Sequence, residues 1–288
     1  MVLNRNFAVY DGLFFRALKE MPWNQWFREE ERPLYCRDQY LEKITHWILS
    51  SRLNRISGLE RFPRRDLING TTQTFDDAYF RHRNKRLRIF RGEYAYHRRV
   101  FANWKFLEDE TLDKNDFVIL SQPFCSSGDT HPHMDQLLRE ADRLGVPVIL
   151  DCAYFGTCAE IDFRFEAECI ESVSFSLTKG LGLGDIRSGI RFSNLQETGP
   201  IQQQNDYHHT VLAAARIGIY MMELFSSDHV PAKYKSAQLS ICKDLQVQPT
   251  NCMHLALGGK GWESFNVDDR FCTLGIRDLV KQRQLGKL

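Results

Sequence analysis

The chain has no C-x-x-C pair among its eight cysteines, so neither a zinc ribbon nor a thioredoxin-type dithiol is expected. Several cysteines sit in apolar stretches, and free, reduced thiols acting as small hydrophobes are the simpler reading. Net charge is nearly absent: 38 Lys and Arg stand against 37 Asp and Glu, leaving +1. No field of the whole protein therefore gathers nucleic acid or an acidic membrane. Long hydrophobic runs are missing too. Phe117-Val-Ile-Leu120 and Val146-Pro-Val-Ile-Leu150 fall far short of the roughly 20 apolar residues that a membrane-spanning helix needs. The opening Met1-Val-Leu-Asn-Arg-Asn lacks the apolar core of a secretory signal, and a cytoplasmic protein is expected. Nor is there an internal repeat or a low-complexity tract. What remains is ordinary: 43% hydrophobic and 26% charged residues exclude a mostly disordered or fibrous chain.

The pattern along 288 residues suggests unequal parts. The first 60 residues read as a helical, irregular segment, with Leu41, Ile44 and Ile48 at helical spacing. Asp66-Leu-Ile-Asn-Gly-Thr-Thr72 reads as a short approach into a turn, then a helix through Phe75, Ala78 and Tyr79. Buried strands are expected at Asp116-Phe-Val-Ile-Leu-Ser121, Val146-Pro-Val-Ile-Leu-Asp151, Glu171-Ser-Val-Ser-Phe-Ser176 and Ser188-Gly-Ile-Arg-Phe192. A helix opening near His131-Pro132 carries Leu137, Leu138, Ala141 and Leu144 on one face, and Gly145 closes it. Strand, helix, strand with short connections is the signature of a parallel sheet under crossover helices. The expected fold class is a three-layer α/β/α arrangement with a mostly parallel central sheet over residues 61–205. Residues 206–288 are expected to form a small α+β domain, opened by one long helix from Tyr207 to Phe225 with a small-residue face (Ala213, Ala214, Ala215, Gly218).

Ligands of open α/β sheets bind at the carboxyl ends of strands. Asp151 and Tyr154 follow one predicted strand; Ser176, Lys179 and Arg187 follow another. Pyridoxal phosphate needs such a set: an amine for covalent attachment, a carboxylate to keep its ring nitrogen protonated, and hydroxyls with a guanidinium for its phosphate. Helix-opening amides complete that list, and Asn69-Gly-Thr-Thr72 can supply them.

On these residues the chain resembles the fold-type I pyridoxal-phosphate enzymes, the aspartate aminotransferase superfamily. The shared spacings are D-x-x-Y at Asp151-Cys-Ala-Tyr154, S-x-x-K at Ser176-Leu-Thr-Lys179, and an arginine, Arg187, eight residues beyond the lysine. The resemblance covers residues 62–194 well and the remainder loosely. It implies that Lys179 is the catalytic Schiff-base lysine, that Asp151 pairs with the ring nitrogen, and that Tyr154 bonds the cofactor's 3-oxygen. Ser176, Arg187 and the Gly70-Thr71-Thr72 turn then hold the phosphate. Tyr94, in Gly92-Glu-Tyr94, stacks on the ring, with Tyr96 its nearest rival. Arg270 takes the substrate carboxylate, with Arg277 as rival. One departure stands out: Cys125 occupies the place of the family's second asparagine in Gln122-Pro-Phe-Cys-Ser-Ser-Gly128, and a thiol is a weak donor.

The resemblance implies an aminotransferase that moves an amino group from an amino acid to a 2-oxo acid. A decarboxylase, lyase or cyclase with the same cofactor is the first alternative, and a non-catalytic relic with a regulatory role the second. A homodimer with a shared pocket is implied. The aromatics Trp23, Trp26 and Phe27 and the small-residue helix face are independent hints of it, and Tyr35 is a candidate to reach the partner's phosphate site. The basic stretch from Arg81 to Arg99 is read as a solvated helix end rather than a nucleic-acid surface. His208-His209 lacks a third ligand at useful spacing, so no metal is expected.

Overall fold

The computed structural model describes residues 9, 11–23, 33–195, 198–266 and 271–287. Its centre is a seven-stranded sheet. In spatial order the strands are β2 (Arg64–Ile68), β9 (Gly189–Ser193), β8 (Ile170–Ser176), β6 (Val148–Cys152), β5 (Asp116–Ser121), β3 (Arg86–Ile89) and β4 (Trp104–Phe106). The pairs from β4 through β8 are parallel, and only β9 runs against its two neighbours.

Alternation along these strands explains the three layers. Phe117, Ile119 and Ile149 point to one face and pack with Phe75, Ala78 and Tyr79 of α3 (Thr71–Arg81). Val118, Leu120, Val148 and Leu150 belong to a larger cluster with Leu137, Leu138 and Ala141 of α5 (Met134–Leu144) and Tyr40, Ile44 and Ile48 of α2 (Pro33–Leu49). Strands buried on both faces read as continuous apolar runs, which is why β5 and β6 are plain in the sequence. Gly145 closes α5 in the left-handed region at φ 67°, as expected of a C′ glycine.

Beyond the sheet lie α7 (Pro200–Asp206), α8 (Leu212–Leu224) and α9 (His229–Leu245). They are followed by an antiparallel sheet of β10 (Gln248–Pro249), β11 (Leu255–Leu257) and β12 (Thr273–Gly275), then α10 (Arg277–Gln284). The amino-terminal α1 (Gly12–Glu20) is held by buried Asp11. That carboxylate caps Leu13 N at 2.9 Å and takes His229 Nε2 at 2.9 Å and Lys233 Nζ at 2.6 Å.

Four expectations need correction. The approach into the turn before Gly70 is a full strand, β2. Its charged start, Arg64-Arg65-Asp66, is tolerated because Asp66 pairs with buried Arg191 of β9 at 2.8 Å. The long helix expected from Tyr207 to Phe225 starts late: α7 ends at Asp206 and α8 begins only at Leu212. Between them His208 takes φ 59°, and Asn205 clamps the backbone of Leu67 at 2.9 and 3.0 Å. The small-residue face of α8 is consumed inside the subunit. A Cβ on Gly218 would meet Tyr40 of α2 at 2.7 Å, and Ala214 and Ala215 are buried. Finally, several arginines of the basic stretch are paired rather than solvated. Arg81 meets Asp77, Arg86 meets Glu110 and Asp116, and fully buried Arg88 meets Asp116 at 2.7 Å. Of the amino-terminal aromatics, Trp23 is exposed, whereas Trp26 and Phe27 lie outside the described residues, as does the Tyr35 side chain. No helix among the described residues is long and apolar enough to cross a membrane.

Candidate active site

Register brings the chemistry to one edge. Ser121 at the end of β5 lies opposite Asp151 on β6, Asp151 lies opposite Ser174 on β8, and Ser176 lies opposite Gly189. β8 runs directly into the single turn α6 (Leu177–Gly180), where the Ser176 hydroxyl accepts from Thr178 N at 3.1 Å. That cap fixes the turn carrying Lys179. A cavity of about 270 Å³ opens here. Thr71, Thr72, Tyr94, Asp151, Tyr154, Ser176, Lys179 and Arg187 all line it, as does Cys125.

One end of the cavity is a set of donors. Arg187 stands against the opening of α3, donating from Nε to Asn69 O at 3.2 Å and from Nη2 to Thr72 Oγ1 at 3.4 Å. Gly70 is required between them. Its φ is +86°, and a Cβ there would lie 2.9 Å from Arg187 Nη2. Guanidinium, hydroxyls and the first amides of an 11-residue helix make an anion cradle.

The other end is acidic. Asp151 is buried, accepts from Ala153 N at 3.0 Å and bonds the Thr71 hydroxyl. Burial first, and the nearby Glu93 carboxylate second, push its pKa up from 3.8 to about 7. Lys179 lines the same cavity, within electrostatic reach of both Asp151 and Arg187. Enclosure by the pocket walls draws its ammonium down from 10.5 to about 8; Asp151 opposes that shift, and Arg187 adds to it. Its Nζ sits 5.3 Å from the centre of the Tyr154 ring.

The backbone fixes this last pair. The turn after Tyr154 and the turn of Lys179 meet glycine to glycine. A Cβ on Gly156 would fall 2.6 Å from Gly180 Cα, and one on Gly180 would fall 2.7 Å from Gly156 Cα. Behind Tyr154 stands His254, ring edge to face at 4.7 Å. It is buried, and neither ring nitrogen meets a hydrogen-bonding partner among the described residues. Burial and the neighbouring cations Lys179 and Arg277 keep its imidazole neutral, pulled down from 6.5 to about 3.

The structure separates the rivals. Tyr94 lines the cavity; Tyr96 instead donates to Asp76 at 2.7 Å. Cys125 turns its thiol to Gly92 O at 3.2 Å, and burial raises its pKa far above 9, so it stays a protonated, weak donor. Arg270 lies outside the described residues, and Arg277 is not among the cavity's lining. Sequence reasoning missed Phe75 and Ser121, both on the wall, along with Glu93 and His254 behind it. In the sequence Phe75 is one apolar residue of a helical stripe, and such a stripe gives no sign of which residue faces a hole.

Neither a protein-family model nor a curated protein matches the sequence. Solved structures do match. Tyrosine aminotransferase from Leishmania infantum is 10% identical, with 100% of this chain and 92% of that one covered at a TM-score of 0.66. The PLP-bound C-S lyase from Staphylococcus hominis is 10% identical over 99% and 90%, at 0.67. MppP soaked with the product 2-ketoarginine is 12% identical over 99% and 98%, at 0.70. At such identities the likeness establishes the fold, and it is the fold that the sequence resemblance implies.

Proposed function

We propose that this protein is a pyridoxal-phosphate-dependent enzyme acting on amino acids, and within that class an aminotransferase. The observation that carries the reading is the placement of Lys179 in one cavity with a buried acid, Asp151, and an anion cradle at Arg187. The residues fit that cofactor: Arg187, Ser176, Thr72 and the α3 amides suit its phosphate, Asp151 its ring nitrogen, Tyr154 its 3-oxygen, and Tyr94 a ring face. When bound, the cofactor supplies an electron sink for a bond at the substrate's Cα.

The protein's own part is proton handling and orientation. A pKa near 8 leaves part of Lys179 neutral at physiological pH. Its Nζ can then take the proton from the substrate Cα and would pass it on to the cofactor's C4′ rather than put it back, the general base and acid of one step. Asp151 is buried and would keep a proton on the cofactor's ring nitrogen, since a carboxylate in such a site favours a cation strongly. Arg270, outside the described residues, is assigned the substrate carboxylate by the resemblance.

A second reading, a lyase or decarboxylase, is favoured by Cys125, whose thiol bonds a backbone carbonyl where the family places an amide. Turnover stoichiometry decides between them. An aminotransferase incubated with its amino donor alone yields about one 2-oxo acid per site and resumes only when a second 2-oxo acid is added. Release of product well beyond one equivalent without an acceptor would establish the lyase class instead.

Assembly belongs to the same reading. We propose a homodimer with the pocket near the two-fold axis; Trp23, Tyr207 and Val211 are exposed apolar residues that such an interface could cover. Sedimentation of the loaded protein at about twice 33.7 kDa is expected; a fully active 33.7 kDa species refutes the shared pocket.

A further inference from the structure

We propose that Glu93 and Asp151 act as a carboxylate pair that together hold a cationic ring nitrogen at the deep end of the cavity. This rests on the cofactor reading above and makes Glu93 a positioning residue that works through Asp151. Glu93 follows β3 and is only 4% exposed. Every group that bonds its carboxylate is a donor: Ser121 N at 2.9 Å, Ser121 Oγ at 2.7 Å and Tyr94 N at 2.9 Å. Such a set suits an anion. Yet no lysine or arginine pairs with Glu93 among the described residues. Ser121 is also the register partner of Asp151 on the next strand, so the residue that bonds Glu93 stands beside Asp151.

Two buried carboxylates this close oppose each other's ionisation. Burial raises Glu93, and the Glu93 charge in turn raises Asp151. The other titratable groups around them carry little balancing charge. Cys125 from the loop after β5 is a neutral neighbour of Glu93, its thiol given to Gly92 O. Tyr79 of α3 feels the Glu93 charge but spends its hydroxyl on His97 at 2.7 Å. Lys179 is the one cation that acts on Asp151 among its main influences, and with a pKa near 8 it gives up that charge in part. The deep end then holds two acids and calls for a cation. A plain structural role, tying the loop at Gly92 to β5, would account for the hydrogen bonds but not for an electrostatic link to Asp151.

Cofactor-free protein carrying ¹³C at its aspartate carboxyl carbons tests the link. In Glu93→Gln the Asp151 midpoint is expected to fall by about one pH unit or more; an unmoved midpoint overturns the pair. Should that variant not fold, the parent decides: a two-step Asp151 curve supports coupling, and a single ordinary step near 3.8 overturns it. A second arm uses ¹⁵N-pyridoxal phosphate bound to the full chain. The pH at which its ring nitrogen loses the proton is expected to drop in Glu93→Gln and to recover in Glu93→Asp, which keeps the charge. An equal pH in all three overturns the proposal. If the parent binds no cofactor, the cofactor reading fails on its own, while the carboxyl titration still judges the coupling.

Discussion

Lys179→Ala is expected to lose all covalent attachment of pyridoxal phosphate and at least about 10³-fold in turnover. A positioned general acid–base contributes roughly 10²–10⁴-fold, and the covalent anchor is lost with it. Borohydride reduction followed by mass measurement checks the attachment: the parent gains one cofactor mass on the Lys179 peptide, and the variant gains none. Full activity in the variant would end the reading of Lys179 as the cofactor's anchor. The parent carries a pH signature as well. The neutral amine is the nucleophile, so the attachment rate should rise as pH climbs through about 8, where enclosure has drawn Lys179, and level off well below its ordinary 10.5.

Asp151→Asn should slow turnover by two orders of magnitude or more while leaving some cofactor bound, because the cradle at Arg187 and α3 is intact. Losing a charge that stabilises the developing electron sink is a transition-state loss of several kcal/mol. The same change should stabilise the cofactor-free protein. Asp151 rises from 3.8 to about 7 on folding, so between those values the unfolded chain has released a proton that the folded chain still holds. Folding stability therefore falls as pH rises through that window, by up to roughly 4 kcal/mol once pH passes 7. Asparagine has no proton to release. Thermal unfolding at pH 8 should show the variant ahead of its parent, with the gap closing below pH 4. Equal melting at both pH values, or an unchanged rate, would show that Asp151 is not the strained acid of this site.

The large elements were legible for a physical reason. β5, β6 and β8 are buried on two faces and announce themselves as apolar runs, and Gly145 marks the end of α5. The candidate site was legible because Asp151, Ser176, Lys179 and Arg187 sit at fixed offsets from strand ends, and all four line one cavity. β2 was hidden because Arg64-Arg65-Asp66 looks like surface until Arg191, 125 residues later, supplies its buried partner. The break between α7 and α8 was hidden because Asn205 is turned aside by Leu67, a contact no local window contains. Glu93 was read past in favour of its neighbour Tyr94: one buried carboxylate looks like any surface glutamate until the strand beside it is placed.

The glycine contact beneath the site bears on how the protein could change over time. Gly156 and Gly180 set the spacing of Tyr154 and Lys179 by main chain touching main chain, with no side chain between them. The two side chains thus rest on a main-chain pin that substitution elsewhere on the wall does not disturb. Positions such as Phe75, Pro123, Cys125 and Asp185 line the same cavity without being part of that support. Selection for a new substrate can remodel them one at a time and keep a working lysine throughout, whereas the two glycines leave room for no other residue. Diversity among descendants of this chain should therefore gather on the wall and stop at the pin.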